Sequence, residues 1–170
     1  MNLDEIAAHL EIQQVLYRYC RGVDRGDAEL VASVYHPDAV DAHGAWSGLG
    51  KDFAAYLVPN MDQVPLIGQH HITNVLIELQ GERADVESYF IALHPEATAE
   101  GASHALVCGR YLDHFERREG RWLIAARQVV LDVSRALARE PDWRGAAFFP
   151  AGGRREADPS ADHFVVAAPA

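Results

Sequence analysis

Three positions in the sequence carry a side chain that an ordinary structural role does not fully explain. They hold an aspartate, a pair of histidines and an arginine. Asp24 follows an apolar helical pattern in GVDRGD, and the neighbouring Asp27 is better placed to cap the next helix. His70 and His71 open a long apolar segment in QHHITN, and a neutral imidazole is an effective base near pH 7. Arg127 lies in the apolar run WLIAARQVVL, where an arginine requires a carboxylate partner or an anion in a cavity. These residue types indicate proton-transfer chemistry.

The sequence contains none of several stronger chemical signatures. No glycine-rich phosphate loop, HExxH, CxxC pair or GxSxG elbow occurs, which removes the motif signals for nucleotide, zinc and serine-hydrolase chemistry. The adjacent histidines cannot both bind one metal ion, because neighbouring residues of a regular strand point to opposite faces. Alternation does not choose which histidine faces the helices, since both faces of this strand are largely apolar. Two apolar faces predict helices on one side and a partner subunit on the other.

Length, charge and composition restrict the class of protein. The chain has 170 residues, of which 49% are apolar and 24% charged, and this suits one domain with one core. A net charge of -10 argues against nucleic acid or an anionic membrane as a partner. No apolar run reaches the length of a membrane span, and the first residues lack a secretion-signal pattern. With two cysteines and no disulfide framework, we expect a cytoplasmic protein.

The first half of the chain predicts three helices, from the periodicity of its apolar residues and from its capping residues. The first helix covers residues 3–22 with Gly22 at its end, and the second covers 27–35 with an aspartate cap. The third covers 51–58 and ends before Pro59.

The second half predicts strands, preceded by a short strand near Val40. Alternating β-branched and aromatic residues, separated by turn signals, predict an antiparallel meander over 70–79, 84–94, 103–117 and 122–133. Helices followed by a run of strands indicate an α+β domain, with the helices packed on one face of a curved sheet.

The composition changes again near the C-terminus. Beyond about residue 139 the chain is rich in proline, glycine, alanine and arginine, so we predict a domain over 1–139 and a C-terminal tail or flap over 140–170. In the flap interpretation Phe148 or Phe149 covers the mouth of a pocket and excludes water. The alternative interpretation is a disordered or subunit-bridging tail, and the sequence does not choose between the two.

Three ordered motifs within residues 3–135 resemble the SnoaL-like branch of the NTF2-like superfamily: LEIQQVLYRYCRGVDRGDAELVASVYHPDAV, GQHHITNVLIEL and GRYLDHFERREGRWLIAARQVV. This branch includes scytalone dehydratase, bile acid 7-alpha-dehydratase and hexachlorocyclohexane dehydrochlorinase. The resemblance implies an NTF2-like cone, in which a curved antiparallel sheet is wrapped by three N-terminal helices around an apolar pocket. With the apolar outer face it also implies a homo-oligomer, for which a trimer is favoured and a dimer is possible.

The resemblance also assigns site residues one at a time. The aspartate after the first helix matches Asp24, and the histidine that opens the first long strand matches His70 better than His71. Together they imply a catalytic dyad, in which Asp24 fixes the tautomer of His70 and stabilises its imidazolium. The arginine of the last strand matches Arg127, and the polar pocket residue of the first helix falls at Tyr19. Both are expected to bind substrate.

The resulting prediction is a cofactor-independent lyase of the dehydratase or dehydrohalogenase type. His70 removes a carbon-bound proton from a small, mostly apolar substrate, and no metal or organic cofactor is required. Arg127 and Tyr19 stabilise an enolate, a departing hydroxide or a halide, and His94 is a weaker match to a second substrate-binding histidine. The alternatives are an isomerase or polyketide-cyclase-like enzyme, and a non-catalytic small-molecule-binding or assembly module of the same fold.

Overall fold

The structure of the protein, a computed structural model, describes residues 1–99, 101–138 and 144–163. Its helices and strands follow in chain order as α1 (Leu3–Arg25), α2 (Ala28–Ser33), β1 (Tyr35–His43), β2 (Trp46–Leu49), α3 (Gly50–Met61), β3 (Gln69–Gln80), β4 (Arg83–Thr98), β5 (Gly101–Arg118) and β6 (Arg121–Ala136). Two short 3-10 helices follow, Ala146–Phe148 and Arg155–Ala157. Within the described ranges, no helix is long and apolar enough to cross a membrane.

A single six-stranded sheet, in the order β2-β1-β6-β5-β4-β3, forms the framework of the fold. Strands β3 to β6 form the predicted antiparallel meander. β1, which the sequence predicts only as a short strand near Val40, runs parallel to β6 and antiparallel to β2. The sheet is curved and unclosed. α1 packs against β3 and β6 through its buried apolar residues, so the predicted α+β architecture with three helices is confirmed.

The end of α1 differs from the prediction in a way that moves Asp24. The helix continues past Gly22 to Arg25 and is capped by Gly26, whose φ of 65° is the left-handed conformation typical of a helix C-cap. Gly22 has a packing role instead, because a Cβ there would lie 2.7 Å from Cγ2 of Val31 in α2. Asp24 therefore belongs to the last turn of α1 and not to a loop after it.

The other two helices also differ from the prediction at their ends. Asp27 caps α2 as predicted, since its side chain accepts a hydrogen bond from the N–H of Leu30. The helix ends at Ser33, before the predicted end at Tyr35, because Tyr35 is already part of β1. α3 contains Pro59 inside its last turn and does not stop before it.

A register shift in β3 decides which of its residues face the helices. The pairing with β4 shifts between Ile72 and Val75, so that one extra residue is inserted into β3. The inner face consequently begins with one histidine and is otherwise apolar on both sides of the bulge: His70, Ile72, Val75, Ile77 and Leu79. His71 points to the outer face, which is mostly polar in this strand. The expectation of two apolar faces for β3 is wrong, because simple alternation does not allow for the bulge.

The described part of the C-terminal region packs beside α1 and the segment after α3. Nε of Arg25 lies 3.2 Å from a carboxylate oxygen of Asp158, and Arg154 donates hydrogen bonds to backbone carbonyls after α3. The predicted domain boundary at 139–140 lies outside the described residues.

Candidate active site

His70 and Asp24, 46 positions apart in the sequence, are in direct contact. Nδ1 of His70 lies 2.7 Å from Oδ1 of Asp24, and the backbone N–H of His70 donates to Oδ2 at 3.0 Å. Their side chains are 11% and 9% exposed. Because an ionised carboxylate only accepts hydrogen bonds, Nδ1 carries the hydrogen and Nε2 is left as an acceptor. The predicted contact is present, and the catalytic role of the pair stays a prediction.

The position of Asp24 at the end of α1 explains why it needs this partner. The C-terminal end of a helix carries partial negative charge, so a carboxylate there is unfavourable unless donors approach it. The first residues of β3 supply two such donors, the ring and the backbone N–H of His70. Helix and strand therefore fix the ring in one orientation.

His70 also lines an open cavity of about 290 Å³ on the inner face of the curved sheet. The lining combines apolar residues of β4, β5 and β6 with three histidines and one glutamate: His43, Gly44, His70, Phe90, Ala92, His94, Glu96, Val107, Tyr111, Val129 and Leu131. β3 is the edge strand and β1 lies near the opposite edge of the sheet, and each contributes a histidine to this lining. The predicted pocket is present, and its walls suit a small, mostly apolar molecule with a few polar groups.

His94 lies on the same cavity wall as the dyad. β4 continues past its predicted end at residue 94 to Thr98, so His94 sits within the strand. Its ring centroid is 6.3 Å from that of His70. Partial burial lowers the pKa of His94, and the nearby His70 lowers it further, so His94 is neutral at pH 7. A neutral imidazole can bind a substrate by hydrogen bonding, and this role stays a prediction.

Arg127 and Tyr19 are in the core and do not line the cavity. The Arg127 side chain is fully buried, and its Nε and Nη2 donate to the two oxygens of Asp113, both at 2.7 Å. Its Cζ lies 4.2 Å from the ring centroid of Tyr19 and 4.1 Å from that of Tyr111. Tyr111 lines the cavity, so the guanidinium lies behind this ring. An arginine in an apolar run needs a carboxylate partner or an anion in a cavity, and Arg127 has the carboxylate partner. Substrate binding by Arg127 or Tyr19 stays a prediction.

Arg127 is the centre of a row of charges across three neighbouring strands. It pairs in register with Asp41 on β1 and with Asp113 on β5. Burial raises the pKa of Asp113, and the adjacent guanidinium opposes this effect. Burial alone would lower the pKa of Arg127, but the Asp113 carboxylate together with Tyr35 and Tyr19 outweighs this effect and keeps the pKa well above its ordinary value. Arg127 is therefore a permanent buried cation.

His43 is a third cavity histidine that the sequence alone does not single out. It follows Asp41 by two positions on β1, so both side chains point to the inner face of the sheet. That Asp-x-His spacing is a visible signal once the strand is known to extend to residue 43. Across the described ranges, no group of three or more His, Cys, Asp or Glu side chains is arranged to hold a metal ion.

The phenylalanines of the predicted flap do not close this cavity. No residue among the described 144–163 lines it, and Phe148 and Phe149 are 87% and 66% exposed. The cavity mouth is therefore left open by the part of the C-terminal region that the structure describes.

Comparison of the sequence with known proteins gives one family match. The sequence model of the SnoaL-like domain matches residues 4–128. An uncharacterized protein of Mycobacterium tuberculosis (strain H37Rv) is 28% identical over 131 residues, which cover 75% of this chain and 87% of that protein. The family match spans helices α1 to α3 and all of the sheet except the last part of β6.

Solved structures with similar coordinates confirm the fold. A protein of unknown function from Mycobacterium tuberculosis is 27% identical, with a TM-score of 0.64 over 76% of this chain and 74% of the other. A hexachlorocyclohexane dehydrochlorinase from Novosphingobium barchaimii is 24% identical, with a TM-score of 0.70 over 81% and 95%. A scytalone dehydratase-like protein from Novosphingobium aromaticivorans is 17% identical, with a TM-score of 0.68 over 80% and 91%. The likeness to the last two is one of fold.

Proposed function

Because the chain belongs to the SnoaL-like domain family, with the NTF2-like fold, we propose that it is a cofactor-independent lyase whose base is His70. The observation that carries the proposal is the 2.7 Å contact between Nδ1 of His70 and Asp24, at the wall of a cavity. This contact leaves Nε2 free to accept a proton, and Asp24 stabilises the imidazolium that results. The attraction is stronger in a partly buried site than in water.

The reaction class follows from what such a base can reach. A small, mostly apolar substrate presents a C–H bond next to a carbonyl or a leaving group, and Nε2 of His70 takes the proton. The electron pair of that bond forms a carbon–carbon double bond while the C–O or C–halogen bond breaks with its electrons passing to the leaving group. His70 then releases its proton, so the net loss is water or a hydrogen halide. His94, which lines the cavity, would bind the substrate directly, whereas Arg127 and Tyr19 would act from behind Tyr111.

A substrate panel tests the proposal. Hydroxylated polycyclic, steroid-like and halogenated compounds are incubated with the protein, and products are identified by mass. We expect at least one compound to lose water or a hydrogen halide, and the Asp24→Asn variant to be strongly impaired with that compound. A product of unchanged mass would indicate an isomerase instead. Stoichiometric binding without any conversion across the panel would contradict the lyase and leave a binding module.

We further propose that the outer face of the sheet forms the contacts of a homo-oligomer, with a trimer favoured. Several large apolar side chains on this face are exposed: Leu76, Tyr89, Ile91 and Val133. Light scattering at micromolar concentration should therefore give a mass above the 18.8 kDa of one chain. Ile91→Glu should reduce that mass, because it places a charge in the apolar contact. A monomeric wild-type protein would contradict the proposal.

A further inference from the structure

A second imidazole–carboxylate pair contributes its histidine to the same cavity as the dyad. We propose that His43, oriented by Asp41, is the acid that protonates the leaving group while His70 takes the proton from carbon. The inference rests on the proposed lyase function and adds the class of its substrate, a compound that loses a hydroxyl group.

His43 and Asp41 approach each other through the same two atoms as the dyad, Nδ1 and Oδ1, but at a longer distance. Nδ1 of His43 lies 3.5 Å from Oδ1 of Asp41, and within the described residues neither atom has a hydrogen-bond partner. The Asp41 side chain is fully buried, and its other oxygen accepts a hydrogen bond from the Tyr35 hydroxyl at 2.6 Å. Because Tyr35 holds one oxygen of the buried Asp41, the other oxygen is the one that lies near the His43 ring and is still without a donor.

The surroundings of His43 leave its other nitrogen for the cavity. The ring stacks on Phe53 of α3, with centroids 4.2 Å apart and an interplanar angle of 21°. The imidazole is 25% exposed and lines the cavity together with His70. With Nδ1 on the Asp41 side, Nε2 is the atom that can meet a substrate, and the face of an aromatic ring is a favourable neighbour for an imidazolium.

Two histidines that line one cavity fit the requirements of a dehydration. Nε2 of His70 takes the proton from carbon, and the electrons of that C–H bond form the new double bond. The C–O bond breaks with its electrons passing to oxygen, and Nε2 of His43 supplies the proton that completes a water molecule. His70 ends protonated and His43 neutral, and both return to their starting states by proton exchange with water.

The need for an acid identifies the leaving group. Hydroxide is a strong base and leaves slowly from carbon unless it is protonated as the bond breaks, whereas a halide leaves as a stable anion. A pocket that holds both an acid and a base is therefore suited to hydroxyl loss. A β-hydroxy carbonyl compound meets both requirements, because its carbonyl also acidifies the C–H bond.

The test compares two leaving groups on one carbon skeleton, 4-hydroxy-4-phenylbutan-2-one and its O-acetyl ester. His43→Gln should lower kcat for the alcohol by about a hundredfold or more, while kcat for the ester stays nearly unchanged, because acetate leaves without a proton. Asp41→Asn keeps an acceptor for Tyr35 and should show the same selectivity with a smaller loss. Should His43→Gln fail to fold, Asp41→Asn provides the same comparison.

His114 provides the matched control. Its Nδ1 lies 2.6 Å from Asp85, but the pair is exposed and does not line the cavity, so His114→Gln should change neither rate. Equal losses with both substrates, no loss with either, or elimination of acetate but never of water by the wild type would each overturn the role of His43 and leave the lyase intact. A wild type inactive on both compounds would also overturn it, while conversion of any compound in the panel decides the proposed function separately.

Discussion

Replacing His70 by glutamine is expected to lower turnover by roughly a thousandfold, the usual order of loss for a positioned base. The glutamine amide can still hydrogen bond to Asp24, but it cannot accept a proton from carbon at neutral pH. The side chain lies between Asp24 and the cavity and is not part of the apolar core, so the variant should stay folded. Steady-state kinetics with a compound that the panel identifies measure the loss, and thermal unfolding checks the fold.

Two further variants make this result specific. His71 is the adjacent residue on the same strand and points to the outer face, so His71→Gln should leave turnover unchanged. Asp24→Asn should reduce turnover by about a hundredfold or more, because an amide can donate to Nδ1 and so move the ring hydrogen onto Nε2. Undiminished turnover in His70→Gln would remove His70 from the mechanism.

The contact between Asp24 and His70 could be predicted only through the order of motifs. Local patterns place Asp24 near the end of one helix and His70 at the start of one strand. They do not show that α1 packs along β3, which is what brings two positions 46 residues apart within 2.7 Å. The resemblance to a family supplied that tertiary information, whereas the element types and the antiparallel meander followed from periodicity alone.

The features that sequence patterns miss depend on pairing between strands. The bulge in β3 is set by its register with β4, so alternation alone could not choose the face of His70. The cavity position of His43 depends on β1 pairing in parallel with β6, a long-range contact with no local signature. The carboxylates beside Arg127 could not be predicted for the same reason, because they come from the neighbouring strands on both sides of β6.

Replacing Arg127 by methionine is expected to lower the free energy of unfolding by about 3–5 kcal/mol, the usual cost of leaving a buried charge without its partner. Methionine fills much of the space between Tyr19 and Tyr111 but carries no charge. Asp113, whose side chain is fully buried, then has no cation, and the neighbouring Asp41 loses the same positive charge. Urea unfolding followed by fluorescence measures the change.

The structure offers a matched pair on the other face of the same two strands. Arg110 on β5 and Asp132 on β6 also form two hydrogen bonds, at 2.9 and 3.0 Å, but in a more exposed position. Arg110→Met should therefore cost far less than Arg127→Met, since water solvates the remaining carboxylate. Removing both buried charges, in Arg127→Met with Asp113→Leu, should recover part of the loss, because no charge of that pair is then left alone. Equal destabilisation by Arg110→Met and Arg127→Met would show that the buried row of charges contributes no more to stability than a surface pair.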